Sequence, residues 1–201
     1  MATTKYLGPL VPHLKSNLVY SESFAINPPL GGLASHVVFS ANGLYNPNIT
    51  LTGHQPRGFD QLMTMYDHYV VIASKITTWA CLRNGNTAPQ MMAITVLDRS
   101  TTSSLPDDIM ERTLVQTDML ALNGSPRVKL DLGLNPNKFL GRSDPLSDPE
   151  LKGSSSANPT EQAFFHVSCF PIQGVDAGIV DIHAQLEYTA VFIEPTQPVI
   201  S

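Results

Sequence analysis

Six histidines are the first candidates for chemistry in this 201-residue chain: His13, His36, His54, His68, His166 and His183. A metal centre built from them would need ligand spacing, such as two histidines at i and i+4 on a helix, and no pair has it. His54 lies in Gly53-His54-Gln55-Pro56-Arg57-Gly58-Phe59-Asp60, beside a cation and a carboxylate. Catalysis there would need a nucleophile and a group to orient the imidazole. The chain has no G-x-S-x-G, no H-E-x-x-H and no Cys/His ligand spacing. The stretch therefore reads as structural. Its polar side chains would cap a helix start and cross-link loop backbone, with Arg57 or Asp60 in an ion pair. His166 and His183 fall on strand faces, and if those faces met another subunit, protonation near pH 6 would loosen the contact. Asp144, Asp148 and Glu150 supply oxygens that suit Ca²⁺, but the full ligand pattern of a calcium loop is missing, so they read as solvated acids. Neither metal nor cofactor is expected, and no enzyme.

Charge narrows the partners. Lys+Arg number 12 against 17 Asp+Glu, a net charge of −5. That is the wrong sign for binding nucleic acid by counterion release, and no run of Lys/Arg occurs. The best remaining phosphate contacts are Arg127 and Lys129 on one strand face, with Lys5 and Lys15 in or near an N-terminal arm. A solvated sheet face is the plainer reading of these four, and no exposed aromatic for base stacking can be picked out. Charged residues make up only 14% of the chain, against about 25% in typical soluble domains. So poor a surface suits a protein covered by neighbouring copies; an uncharged monomeric β domain, such as a lectin, is the alternative. Cys81 and Cys169 read as buried, reduced thiols, with a disulfide left open. Pro9 and Pro12 break up any secretory apolar region, and no apolar run approaches the ~20 residues of a membrane span.

The elements that must position these residues are strands. Residues 1–14 form an extended arm, 15–196 one domain and 197–201 a tail. From Ser16 to Ile26 the residues Leu18, Tyr20, Phe24 and Ile26 share a face; Glu22 breaks it and marks a bulge or a partner contact. Ala34 to Phe39 opens a second strand. Phe59, Leu62, Met63 and Tyr66 form one helical stripe. Residues 69–82 follow as a strand with Tyr69, Val71, Ala73 and Trp79 on one face and Val70, Ile72, Ile76 and Ala80 on the other. Two dry faces imply a strand covered on both sides. Asn84-Gly85-Asn86 should turn it into a hairpin with Met91–Leu97. A short helix is expected from Pro106 to about Leu114, capped by Ser104. Val128, Leu130 and Leu132 give a half-exposed strand. Residues 133–159 form a long loop, functional or mobile, ending in the flexible run Gly153-Ser154-Ser155-Ser156. Ala163–Cys169 and Val180–Phe192 alternate as the last two strands. The absence of βαβ alternation gives an all-β sandwich with one or two short helices in its connections, of Greek-key or jelly-roll winding.

Four segments carry a resemblance. They are Phe39-Ser40-Ala41-Asn42-Gly43-Leu44-Tyr45-Asn46-Pro47, the Gly53–Asp60 stretch with Gln61, Tyr66, Tyr69 and Ser74-Lys75-Ile76, then Lys138-Phe139-Leu140-Gly141, and Leu186–Phe192 with Glu194-Pro195. In this order they resemble the capsid proteins of circular single-stranded DNA viruses, the circovirus-like group, over roughly Lys15 to Pro195. The resemblance implies a single jelly-roll capsid domain, a structural role for the Gly53–Asp60 string, and most simply sixty identical copies in an icosahedral virion. It implies assembly in the host cell nucleus or cytoplasm, a host receptor of unknown kind, and no membrane insertion. It also implies an Arg-rich N-terminal arm; the residues after Met1 carry none, so viral single-stranded DNA is a partner only if a basic arm lies upstream. A lectin-like or cytokine-like β-sandwich that binds a ligand through the 133–159 loop is the competing reading. A cupin-type enzyme lacks its histidine pair.

Overall fold

The computed structural model describes residues 10–51, 53–122, 127–172, 174–175 and 177–196. Lys5, the arm up to residue 9 and the tail 197–201 lie outside the described residues. Eight strands are described: β1 (His13–Ile26), β2 (Ser35–Ser40), β3 (Tyr66–Leu82), β4 (Gln90–Leu97), β5 (Val115–Leu120), β6 (Arg127–Leu134), β7 (Phe164–Pro171) and β8 (Val180–Pro195). The connections hold α1 (Phe59–Met63), α2 (Pro106–Met110), α3 (Pro136–Phe139) and a 3₁₀ turn at Pro149–Leu151.

Pairing dictates the winding. β1 pairs with β8, β2 with β7, β3 with β6 and β4 with β5, all antiparallel. This is one long ribbon doubled back at the β4–β5 connection. Its successive rungs alternate between two sheets, ordered β1-β8-β3-β6 and β2-β7-β4-β5. Coiling the ribbon also sets β8 beside β3 and β7 beside β4. The result is a jelly roll, as the resemblance implied, with one core between two four-stranded sheets. Tyr20, Phe39, Tyr69, Ile94, Phe165, Leu186 and Phe192 are fully buried there. In β8 the expected alternation holds: Val180, Ile182, Ala184, Leu186 and Tyr188 are buried, while His183 and Glu187 are exposed.

The expected β3–β4 hairpin does not form. The two strands lie in opposite sheets, and residues 83–89 carry the chain across the end of the sandwich. β4 pairs instead with β5, a strand the sequence pattern did not single out. It is hard to see because its exposed residues, Gln116, Asp118 and Met119, mask the alternation. The helix before it ends at Met110 rather than near Leu114, and its N-cap is Leu105, with no side-chain cap bond from Ser104 or any other residue. Glu22 marks neither a bulge nor a gap in pairing. β1 keeps its register throughout, and the carboxylate accepts bonds from Tyr20 and Asn48 of its own chain.

A register shift between Val71 and Ala73 in β3 inverts its faces. Tyr69 and Val71 point into the core, and beyond the shift Ile76 and Ala80 do so too. Trp79 therefore stands on the outer face, 40% exposed, not beside Tyr69. On that outer face only the first half of β3 is covered: Val70 packs with Leu151, Val191 and Ile193, and Ile72, Leu140 and Leu146 lie against them. The cover comes from the 133–159 segment, which folds down as α3 and the 3₁₀ turn. Its expected flexible run begins at Gly153, which exchanges two backbone hydrogen bonds with Tyr69, at 3.0 and 2.9 Å. A side chain at Gly153 would overlap the Tyr69 ring.

Tyr69 also anchors the Phe39–Pro47 segment. Its buried hydroxyl accepts from the amides of Leu44 at 2.9 Å and Tyr45 at 3.3 Å. Asn158 completes the clamp, bonding both the amide and the carbonyl of Asn46 at 3.0 and 2.9 Å. Tyr69→Phe leaves two amides without their acceptor. It should destabilise the fold by about 2 kcal/mol, measured as a fall in the chemical-denaturation midpoint; an unchanged midpoint would show that the amides find another acceptor.

Candidate functional site

The Gly53–Asp60 loop lies against the middle of β1, at Leu18, Tyr20 and Ser21. A Cβ added to Gly53 would come within 2.6 Å of the Tyr20 hydroxyl. The His54 ring stacks on Tyr20, centroids 4.6 Å apart. Its Nε2 faces the Ser21 carbonyl at 3.1 Å and its Nδ1 the Gln55 carbonyl at 2.8 Å, so neither nitrogen points into open space. Beneath the ring, Tyr20 donates to Glu22 at 2.5 Å and the Asn48 amide donates to the same oxygen at 2.7 Å. Burial and the Glu22 carboxylate push the Tyr20 hydroxyl pKa upward, holding it as the donor. Asn48 Oδ1 in turn accepts from the amides of Thr50 and Leu51. His54, Tyr20, Glu22 and Asn48 thus tie two loops to β1.

Other details of the loop differ from expectation. The helix start is capped by Gly58, in the left-handed region at φ 88°, with no side-chain hydrogen bond. Neither Arg57 nor Asp60 joins an ion pair among the described residues. With its amide nitrogen turned toward Asp60, Gln55 donates to that carboxylate at 2.6 Å. Pro56 accepts from the Phe59 amide at 3.1 Å, and buried Phe59 meets Tyr69 edge-on at 5.4 Å. A cleft of about 710 Å³ opens over the loop, walled by His54, Arg57 and Asp60. No serine, threonine or cysteine is among its described lining residues. The Lys138–Gly141 segment closes α3: Asn135 accepts from the Lys138 amide at 3.1 Å, and Gly141 leaves the helix at φ 70°.

The basic residues separate. Arg127 and Lys129 share the outer face of β6. Lys15 lies on the same sheet but on the opposite edge strand and at its other end, since it pairs with Val191 whereas Arg127 lies level with Cys81 and Asp181. Register instead draws other residues to Lys129. Lys129 is opposite Trp79, Trp79 opposite His183 and His183 opposite Ser23, one row across all four strands. The Lys129 ammonium sits 5.6 Å from the Trp79 ring centre, and the His183 ring lies 5.8 Å from it. Alternation alone puts Trp79 on the other face, because the shift in β3 is silent in the residue pattern.

The remaining candidates resolve into local contacts. His183 bonds Ser23 at 2.9 Å and Ser21 at 3.0 Å. His68 and Lys152 both hold Glu194, each at 2.7 Å. Asp148 and Glu150 are engaged by Arg142, at 3.2 and 2.7 Å, and no grouping of His, Cys, Asp or Glu suited to a metal occurs among the described residues. Cys81 in β3 and Cys169 in β7 are unpaired and belong to opposite sheets; Cys169 is buried, which pushes its thiol pKa up, while Cys81 is half-buried on the outer face. His166 is buried within the chain, under the segment leading to α2. Its Nε2 donates to the Arg99 carbonyl at 2.9 Å, and its Nδ1 has no partner. His36, bonded to Ser168 at 2.8 Å, and the guanidiniums of Arg99 and Arg112 are its charged or titratable neighbours.

No family model matches the chain, and no curated protein matches it in sequence. Solved structures match it in fold, viral capsid proteins among them. The decameric BFDV capsid protein is 11% identical, with 90% of this chain and 99% of that chain covered, at a TM-score of 0.50. The nora virus structure is 7% identical over 100% of this chain and 69% of its own, at 0.48. The nodavirus particle of the giant freshwater prawn Macrobrachium rosenbergii is 10% identical over 100% and 95%, also at 0.48. The likeness is one of fold and spans nearly the whole chain.

Burial lowers the His166 pKa to about 4, with His36, Arg112 and Arg99 adding to the effect; the ordinary value is about 6.5. The unfolded chain therefore binds this proton first, so stability is full above about pH 6.5 and is lost as the pH falls toward 4. Burial lowers the His36 pKa as well, which acts in the same direction. Between pH 7 and pH 5, before carboxylates titrate, His166 should cost about 2 kcal/mol of unfolding free energy. His166→Gln should flatten most of that slope in denaturant titrations.

Proposed function

We propose that this chain is a viral capsid subunit that self-assembles into an icosahedral shell, most simply of sixty copies, around a circular single-stranded DNA genome. The winding of the sandwich carries the reading: the same jelly roll forms the decameric BFDV capsid protein over nearly the full length of both chains. The low charge content supports it. So do apolar side chains exposed at one end of the sandwich. Leu30 and Leu33 in the β1–β2 connection and Ile172 and Val175 in the β7–β8 connection are all exposed, and the two loops meet where Gly32 abuts Gly174. Apolar tips of this kind gain free energy when copies bury them around a symmetry axis.

The genome type, the copy number and residence in the virion rest on the four segments that resemble circovirus-like capsids. Packaging by charge neutralisation would draw on a basic arm upstream, because the net charge of −5 repels phosphate. Arg127, Lys129, Lys15 and Lys5 are the cations proposed to meet nucleic acid within the chain.

Purified recombinant chain should form closed particles in electron micrographs and sediment as a large species. Leu30→Asp combined with Ile172→Asp should leave a folded subunit that no longer assembles. A wild-type chain that stays monomeric at high concentration would overturn the shell and favour a ligand-binding sandwich.

A further inference from the structure

We propose that Trp79, with Lys129 and Arg127, forms a base-stacking site for single-stranded nucleic acid on the outer face of the β1-β8-β3-β6 sheet. The site rests on the capsid reading for its biological cargo but not for its chemistry. Trp79 is the chain's only tryptophan, and it stands 40% exposed on a strand whose opposite face is the core. Exposing a large flat ring in this way is costly unless something covers it. The surroundings identify the cover. A cleft of about 440 Å³ runs along Trp79 toward Arg127 and Lys129, and another of about 490 Å³ lies on its far side, toward His183 and Phe24. The ring is therefore approachable from two sides, with Arg127 and Lys129 beside one and the Arg83–Asp181 pair beside the other.

Carboxylates near the ring are already occupied. Asp131 is bound by Lys75 at 3.2 Å, and Asp181 by Arg83. The Lys129 ammonium instead hovers over the indole. Its four-carbon stem can swing the charge from the ring to a phosphate as a base takes its place. Recognition of this kind suits an acidic protein. It draws affinity from stacking, which every base offers, and needs only two phosphate contacts. A polyanion without bases offers the site charge alone, whereas each base brings a flat ring to stack on the indole. Among flexible anionic partners, an unpaired strand alone brings flat rings and phosphates at matching spacing.

Because Trp79 is unique, its fluorescence reports this site directly. Titration with a homopyrimidine oligonucleotide, as oligo-dT and as oligo-rU, should quench the emission and saturate. Heparin, which has charge but no bases, should not. Anisotropy of a labelled oligonucleotide should show Trp79→Ala weakening binding about 5- to 150-fold, with Trp79→Phe weakening it less. Lys129→Ala should reduce the salt dependence of the wild type, whose log–log slope should lie near about −1.4 for two phosphates. Equal quenching by heparin, or wild-type affinity in Trp79→Ala, would overturn the site. Sedimentation of the same samples separates the two ideas: particles with unresponsive emission overturn the site and leave the shell, whereas quenching in a chain that never assembles upholds the site and overturns the shell.

Discussion

Side chains along a strand alternate between its faces, so a single slipped residue inverts everything that follows. In β3 the inversion falls between Val71 and Ala73, and both halves of the molecule depend on it. Before the slip, Tyr69 points inward, where its hydroxyl can receive the Leu44 and Tyr45 amides, and Val70 points outward under Leu151. After it, Ile76 and Ala80 fill the core and Trp79 is turned out beside Lys129 and His183. Without the slip, a strand apolar on both sides would have either buried its indole or exposed its isoleucine.

The polar chemistry of the molecule is thus a chemistry of anchoring. Tyrosine hydroxyls reach from the sheets into irregular backbone: Tyr69 to residues 44 and 45, Tyr188 to the Ser40 carbonyl at 2.8 Å, Tyr66 to the Val11 carbonyl at 3.0 Å. Each buries an aromatic ring and spends its polar tip on backbone outside its own sheet, Tyr69 and Tyr66 on loops and Tyr188 on the last residue of β2. Glu22 and His54 extend the pattern to the loop before α1. These loops keep fixed shapes although little regular structure supports them.

Much of this was legible in the residues. The alternation in β8, the apolar stripe at Phe59 and Met63, and the absence of βαβ spacing led to a two-sheet sandwich. What escaped were features set by register and not by composition. A slip leaves no mark on the pattern, so Trp79 was assigned to the wrong face. β5 is half-exposed and reads as connection until β4 lies beside it. The partners of Glu22 and His166 come from sequence-distant loops, so neither the inward carboxylate nor the histidine buried under the Arg99 segment could be read locally.

The ribbon also fixes when the protein can exist. β8 is the middle of its sheet, paired with β1 along the whole of that strand, from His13 with Ile193 to Ile26 with Val180, and with β3 on its other side. Among the described strands β1 therefore waits for β8, and the β1-β8-β3-β6 sheet cannot close before β8 has been made. Nascent β1 must spend that interval with its apolar face uncovered, in the care of chaperones or in chance association with neighbours.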